Sequence, residues 1–494
     1  MPTSPLSPDP RSLAPEPWSL IASPRSLPPG RALPLTPCAL RLRPMPYALC
    51  PLWRSHFFVR LLLVLFFLPL LPSAGLAQTQ KTFTPRIDVQ EAYDDNIFLT
   101  KRNEKSDWIT TVSPGFNFAV NSPHTKLNLD LSGGYSLYAK DSSQNTYLLG
   151  SALSLNQQLS SRFSMQVSDT FTRTENPITT ENGAITNVAQ NVAQKKVFSS
   201  SNTGEADLSW QFGPENRLTA GYRNTYLDYS SDLYEASLGN EGFFDLVTWF
   251  GPRFGTELIG RVLRATFDQP NGFTGIPTEN FYNYTGEGTL NYRWQASRRV
   301  YVRYRILDHR FDETFAAIGI QDYLVHRGTL GTSLALAPHT NLDAEGGYWF
   351  QDVDNGSNQS GPAFNTLLTT RQERLTLRLG ATGDYDESYF TSQNLGFAKY
   401  YQALGSLDYQ LTSPLALYAS GTYRWEKYYG GVGQNADRTD KTWQTIAGFR
   451  YSLLRYLTLS LEGTHTERTS TEQVDEFADN RATLRLTWAY GIPF

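Results

Sequence analysis

The chain ends Thr483-Leu-Arg-Leu-Thr-Trp-Ala-Tyr-Gly-Ile-Pro-Phe494, and the parity of those residues decides how the rest is read. Leu484, Leu486, Trp488, Tyr490, Ile492 and Phe494 fall on one parity, Arg485 and Thr487 on the other. Side chains alternate across a strand, so this is a strand with one apolar and one polar face. The same rule holds upstream. Lys126–Tyr138 sets Leu127, Leu129, Leu131, Tyr135 and Leu137 against Asn128, Asp130, Ser132 and Ser136, and Arg374–Thr382 sets Leu375, Leu377 and Leu379 against Thr376, Arg378 and Thr382. Tyr282–Trp294, Val300–Ile306, Leu457–Gly463 and Ala482–Tyr490 repeat the scheme. After residue 77 no stretch approaches the ~18 consecutive apolar residues of a membrane-crossing helix.

Alternation alone suits a soluble sandwich as well as a membrane barrel, so the connections decide. Short turns recur at Asn121–Thr125, Gln158–Arg162, Phe212–Asn216, Phe250–Phe254, Gln295–Arg299, Ala337–Thr340, Thr370–Glu373, Leu411–Pro414 and Leu453–Tyr456. Longer polar connections lie between them, as at Glu175–Val197, Asp268–Glu279, Asp352–Pro362 and Tyr429–Asp440. Short turns on one rim and long loops on the other are the layout of an all-β, transmembrane, antiparallel outer-membrane β-barrel. Nine such turns imply about 18–20 strands, the least regular being Ala236–Trp249 and Ala363–Thr370. Proline agrees. Pro123, Pro214, Pro252, Pro338 and Pro414 fall in short turns, and Pro177, Pro270, Pro277 and Pro362 in long loops; Pro114 alone interrupts the body of a strand. A ring this wide encloses water unless a loop plugs it.

Of the 494 residues, 43 are Lys or Arg and 47 Asp or Glu. Residues 1–44 hold 12 of the 28 prolines and read as a disordered extension or as sequence ahead of a true start at Met45. Arg54 and Arg60, the run Leu61–Leu71 and the small residues up to Ala77 make 45–77 a secretory signal peptide. A membrane anchor at Leu61–Ala77 would be short and broken by Pro69 and Pro72. That leaves 78–494 as the barrel, with 36 basic and 45 acidic residues, a balance that disfavours nucleic acid. Both cysteines, Cys38 and Cys50, precede it, so the barrel has neither thiol chemistry nor disulfides.

A terminal strand ending in an aromatic resembles the insertion signal of bacterial outer-membrane proteins, which barrel assembly machinery engages. Trp488, Tyr490 and Phe494 carry that resemblance, and Pro493 departs from it. If the leucine parity faces outer-membrane lipid, the opposite one faces the lumen: Arg223, Arg293, Arg303, Arg305, Arg378, Arg450 and Arg485, with Asp130, Glu287, Asp343, Glu345, Asp384 and Glu462. Such charges either orient a polar solute or pair across strands to hold the wall. Tyr301, Trp349, Phe243 and Trp249 share the inward parity, and either stack on sugars or pack beneath an inward-folded loop. No G-x-S-x-G, H-E-x-x-H or phosphate loop occurs, so neither an enzyme nor a cofactor is expected. Acidic pairs such as Asp94-Asp95 read as solvated turn residues.

Tyr93-Asp-Asp-Asn-Ile-Phe98, followed by Ser113-Pro-Gly-Phe116, resembles the opening of the putative beta-barrel porin 2 family. The likeness is sharp over about thirty residues, would account for Pro114, and is architectural beyond them. It implies an outer-membrane channel and, since many relatives accompany exopolysaccharide or capsule assembly systems, export of a polysaccharide with periplasmic export proteins. It supplies no catalytic residues. A general diffusion porin or nutrient channel, and a structural or adhesive protein using Glu175–Val197, are the alternatives.

Overall fold

The computed structural model describes residues 79–174, 197–230, 236–268, 279–314, 321–388, 396–429 and 437–494, with the backbone of 178–181 and 184–188. The expectations for 1–44 and 45–77, and for the tips of several long loops, fall outside these residues.

Twenty strands of 12 to 16 residues run antiparallel, each to the next, from Gln80–Asp94 to Phe477–Ala489. The last closes on the first, from Arg86↔Ala489 to Asp94↔Arg481, and Ile492–Pro493 adds a short extension opposite Thr82 and Phe83. A closed ring leaves no unpaired edge, which is what hydrocarbon demands of a sheet. Each strand exceeds the ~9–11 residues needed to cross a bilayer. Twenty strands spaced ~4.8 Å and tilted by ~40° give a backbone diameter of ~40 Å.

All nine short turns stand where the alternation breaks, and the first strand starts and the last ends on their rim. Ala236–Trp249 and Ala363–Thr370 are strand too, as Ser237–Trp249 and Gln359–Arg371. The second corrects the sequence reading: Pro362 is inside the strand, opposite Tyr348, and the connection expected at Asp352–Pro362 shrinks to residues 354–358. Pro362 is tolerated because pairing with the following strand begins only at Phe364↔Gly383. Pro114 pairs with Ile87, and the ladder on its other side lapses between Val112↔Tyr135 and Gly115↔Ser132. At that lapse a residue without an N–H costs nothing.

Side chains two strands apart can touch only on the concave side of a cylinder. Arg86 of the first strand donates to Asp130 of the third at 2.5 and 2.8 Å, and Tyr418 donates to Glu462 at 2.8 Å. Those parities therefore point inward. The opposite parity exposes large apolar groups such as Leu290 and Leu330, 65% and 63% accessible, which suits lipid. Aromatic contacts flank it, Phe163–Trp210 and Phe254–Tyr292 by the short turns, Tyr93–Trp108 and Tyr423–Trp443 toward the loops.

The Tyr93–Phe98 segment clasps the closing seam. Asp95 donates its N–H to the Asn480 carbonyl at 3.2 Å, and its carboxylate accepts from the Asn480 N–H and Nδ2 at 2.7 and 2.8 Å. Asn96, fully buried, donates from Nδ2 to the carbonyls of Ala478 and Thr100 and accepts from the Thr100 N–H. Asp94 accepts from the Asn96 N–H at 3.0 Å. The acidic pair is thus not a solvated turn. Leu99 takes a φ of 52°, unusual for a side-chain-bearing residue and held by its N–H to the Asn96 carbonyl. Ile97 and Phe98 are thereby folded on to Ala92, Ile109 and Tyr138.

Candidate functional site in the lumen

Alternation along Phe281–Gln295, Arg298–Phe311, Tyr323–Ala337 and Thr340–Val353 brings Glu287, Arg303, Arg305, Arg327 and Glu345 to one patch of inner wall. Arg303 reaches Glu287 and Glu345, each at 3.2 Å; Arg305 reaches Glu287 at 2.7 Å and Arg327 reaches Glu345 at 2.6 Å. Tyr301 donates to Glu345 at 3.1 Å. The side chains of Arg327 and Glu345 are only 5% and 6% accessible, so each depends on its partners for solvation.

A hairpin two to five strands further round the ring completes this network. Leu375–Ser388 and Gly396–Gln410 begin as ordinary wall, with Leu379 and Leu407 exposed outward. Toward the long-loop end Asp384–Ser388 parts from the preceding strand, whose pairing stops at Phe364↔Gly383, and turns inward, while Phe397–Tyr400 stay paired with Glu426–Tyr429. Glu387 accepts from Asn283 at 2.9 Å and from Tyr323 at 2.6 Å and lies 3.1 Å from His309 Nδ1, although Asn283 sits five strands away. Tyr385 and Phe397 pack on Trp349 with centroids at 5.8 and 5.6 Å. On the opposite face, Asp384 accepts from Arg327 at 2.8 Å and Asp386 from Arg424 at 2.7 Å. Phe397 and Ala398 are adjacent, of opposite parity and both buried, as no lipid-facing strand would be. Beneath them lie Phe267, Phe281, Leu307, Phe311 and Val325. A second hairpin, Ile178–Glu181 with Ala184–Val188, approaches Leu415–Tyr429 from the connection between Phe163–Thr174 and Ser199–Gln211.

The other residues singled out in the sequence are scattered round the wall. Arg223 bridges Glu205 at 2.7 Å and Glu241 at 3.5 Å; Asp343 accepts from Ser333 at 2.5 Å. Arg450 lies over the Tyr418 ring at 4.3 Å, and Arg485 donates to Gln90 at 2.8 Å. Arg378 is exposed. Phe243, Trp249 and Tyr301 each lie flat on a neighbouring-strand glycine, Gly221, Gly255 and Gly331, and are stacked by Arg223, Arg293 and Arg303. Arg293 also reaches Glu215 at 3.1 Å. Trp349 is wholly buried beneath the hairpin. These aromatics fill the wall. At the end of the chain, Trp488 is paired with Ile87, Tyr490 meets Tyr456 edge-on, and Phe494 lies on Phe118 while its N–H donates to the Lys81 carbonyl.

Sequence reading missed Arg327, Arg424, Arg438 and Arg468. Arg438 donates to Asp440 at 2.9 Å and pairs with Asp475, and Arg468 pairs with Asp440, all deeply buried near the long-loop rim. Extending the Leu330–Leu334–Leu336 parity back along its strand would have placed Arg327 inward. The arrangement is a polar inner wall with an ionically anchored strand end lying against it near the long-loop rim.

A family model described as putative beta-barrel porin 2 matches residues 74–226 and 250–490. No curated protein matches the chain. Among solved structures, it is similar to OpdQ of Pseudomonas aeruginosa (TM-score 0.38, 11% identity, 84% of this chain and 98% of that one). It is similar also to the copper transporter OprC (0.46, 10%, 82% and 81%) and to OccAB4 of Acinetobacter baumannii (0.39, 10%, 84% and 99%).

Proposed function

The chain belongs to the putative beta-barrel porin 2 family of bacterial outer-membrane channels, and from that membership we propose that it passes small hydrophilic solutes by diffusion. The observation that carries this reading is the hairpin end around Asp384–Ser388 and Gly396–Tyr400, which is held against a charged inner wall by hydrogen bonds and ion pairs. Its position makes it the size limit. Purified protein in liposomes should admit small sugars, and replacing residues 385–399 by a tight turn should raise the largest sugar admitted. A barrel that is silent in planar bilayers and impermeable in both forms would refute it.

Export of a polysaccharide with a periplasmic partner is the second reading, supported by the family and by a ring ~40 Å across, wide enough for a glycan chain once the hairpin lifts. Deleting the gene should then abolish surface polymer. Unchanged polymer would dismiss it.

A further inference from the structure

The outward face is charged unevenly from end to end. Toward the long loops its parity includes Glu91, Asp169, Asp228, Asp308, Asp352 and Glu467. Over the six residues of each wall strand nearest the short turns, the same parity holds no acidic side chain. Five exposed cations stand at that end instead. Lys81 and Arg298 are outward residues of strand ends, and Arg162, Arg253 and Arg455 are in the turns themselves. Each lies beside an exposed aromatic residue of the lipid-facing surface. The Lys81 carbonyl accepts from the Phe494 N–H, Arg298 stands across its turn from Trp294, and the three turn arginines directly precede Phe163, Phe254 and Tyr456. None of the five makes a side-chain hydrogen bond or ion pair with a described residue. At the loop rim the outward arginines are neutralised: Arg264 by Asp312 at 2.6 Å, Arg310 by Asp308 at 2.8 Å and Asp322 at 3.4 Å.

Exposed aromatic rings mark the depth at which hydrocarbon gives way to headgroups. One residue further on, ~3.3 Å along the strand, a side chain is within the headgroup layer, ~5–7 Å thick. Short turns face the periplasm, so the layer here is that of the periplasmic leaflet. A guanidinium at this level presents a planar fork of donors that matches two oxygens of a phosphate. With no carboxylate nearby on the same face, nothing repels an approaching anion.

We propose that Lys81, Arg162, Arg253, Arg298 and Arg455 form a girdle that binds the phosphates of anionic phospholipids in the periplasmic leaflet. The neighbouring rings decide which anion is meant. A soluble anion or an acidic protein would use the cations and leave Phe163, Phe254, Trp294 and Tyr456 unmatched, whereas a phospholipid sets its chains against the rings and its phosphate against the cation. Each such cation favours anionic lipid about fivefold.

The purified protein, in detergent micelles holding equal amounts of phosphatidylglycerol and phosphatidylcholine with the same acyl chains, should retain phosphatidylglycerol in about fivefold excess or more when its lipid adducts are weighed by native mass spectrometry. Combining Arg162→Gln, Arg253→Gln, Arg298→Gln and Arg455→Gln should bring the two lipids close to parity. Arg102→Gln, which removes an equally exposed cation at the loop rim, should leave the excess unchanged. If the combined variant does not assemble into a heat-modifiable barrel, Arg253→Gln and Arg455→Gln are read singly, and each should lower the excess. Equal retention of the two lipids by the parent protein, or an excess that survives the arginine substitutions, would overturn the proposal. So would an adduct with inorganic phosphate as stable as that with lipid, because the girdle would then be a site for soluble anions.

Discussion

Replacing Arg327 by Met tests whether ionic anchors hold the hairpin in the lumen. Arg327 joins Glu345 of the wall to Asp384 of the hairpin, at 2.6 and 2.8 Å, with both carboxylates largely shielded from water. Removing one member of a buried pair costs ~3–5 kcal/mol, and because this network borders a wet lumen the lower end applies, ~3 kcal/mol. Glu345 keeps Arg303 and Tyr301, whereas Asp384 loses the guanidinium it bonds, so the cost falls on docking of the hairpin. At ~1.4 kcal/mol per decade, the undocked population rises about a hundredfold. Amide exchange within 384–388, whose preceding-strand side is unpaired, should accelerate by that factor, and single-channel records should gain a larger conductance state. Adding Asp384→Asn removes the stranded charge and should recover much of the docked form, a coupling that a double-mutant cycle reads directly. Unchanged exchange and conductance in Arg327→Met would show that aromatic packing around Trp349 holds the hairpin unaided.

Asn96→Ala deletes three hydrogen bonds of a buried carboxamide at the seam and should cost ~2–3 kcal/mol in urea unfolding from vesicles; a loss under ~0.5 kcal/mol would contradict the clasp. Gly347→Ala would drive a Cβ to 1.9 Å from the Gly328 carbonyl, whereas Gly346→Ala meets open space. Only the former should lower the yield of heat-modifiable barrel. At the loop rim, hydrogen bonds from Arg264 and Lys101 hold the carboxyls of Asp312 and Glu476 below the usual carboxylate range. Lowered values stabilise the folded loops above that range, and the benefit fades as pH falls through them. Intrinsic-rate-corrected exchange in 312–314 and 471–476 should thus rise on acidification below the ordinary carboxylate range and stay flat between neutral and mildly alkaline pH.

The ring was legible because its rules are local. Turn residues such as Phe250-Gly-Pro, where Gly251 takes a φ of 98°, mark each reversal, and strict alternation between them fixes which side chains enter the lumen. What fills the lumen was not legible. Tyr385 and Phe397 share the parity of Leu379 and Leu407, so alternation sends them into lipid; their packing on Trp349, two and three strands away, and the bond of Glu387 to Asn283, five strands away, turn that end inward. The charges on Glu287, Arg303, Arg305 and Glu345 were visible as a set, but their mutual partners depend on strand register. Asp94 and Asp95 look like any acidic turn until the last strand arrives beside them.

The Phe494 amide bonded to the Lys81 carbonyl sets the outer ends of the first and last strands side by side on one rim. In a chain cut back to Gln80–Phe494, a few added residues would join those ends, and any of the nine tight reversals could then be cut to furnish new ones without rerouting the backbone through the membrane. The wall is, in effect, a circular word that could be spelled from ten places, with Tyr93–Phe98 serving as the punctuation that fixes where this spelling begins.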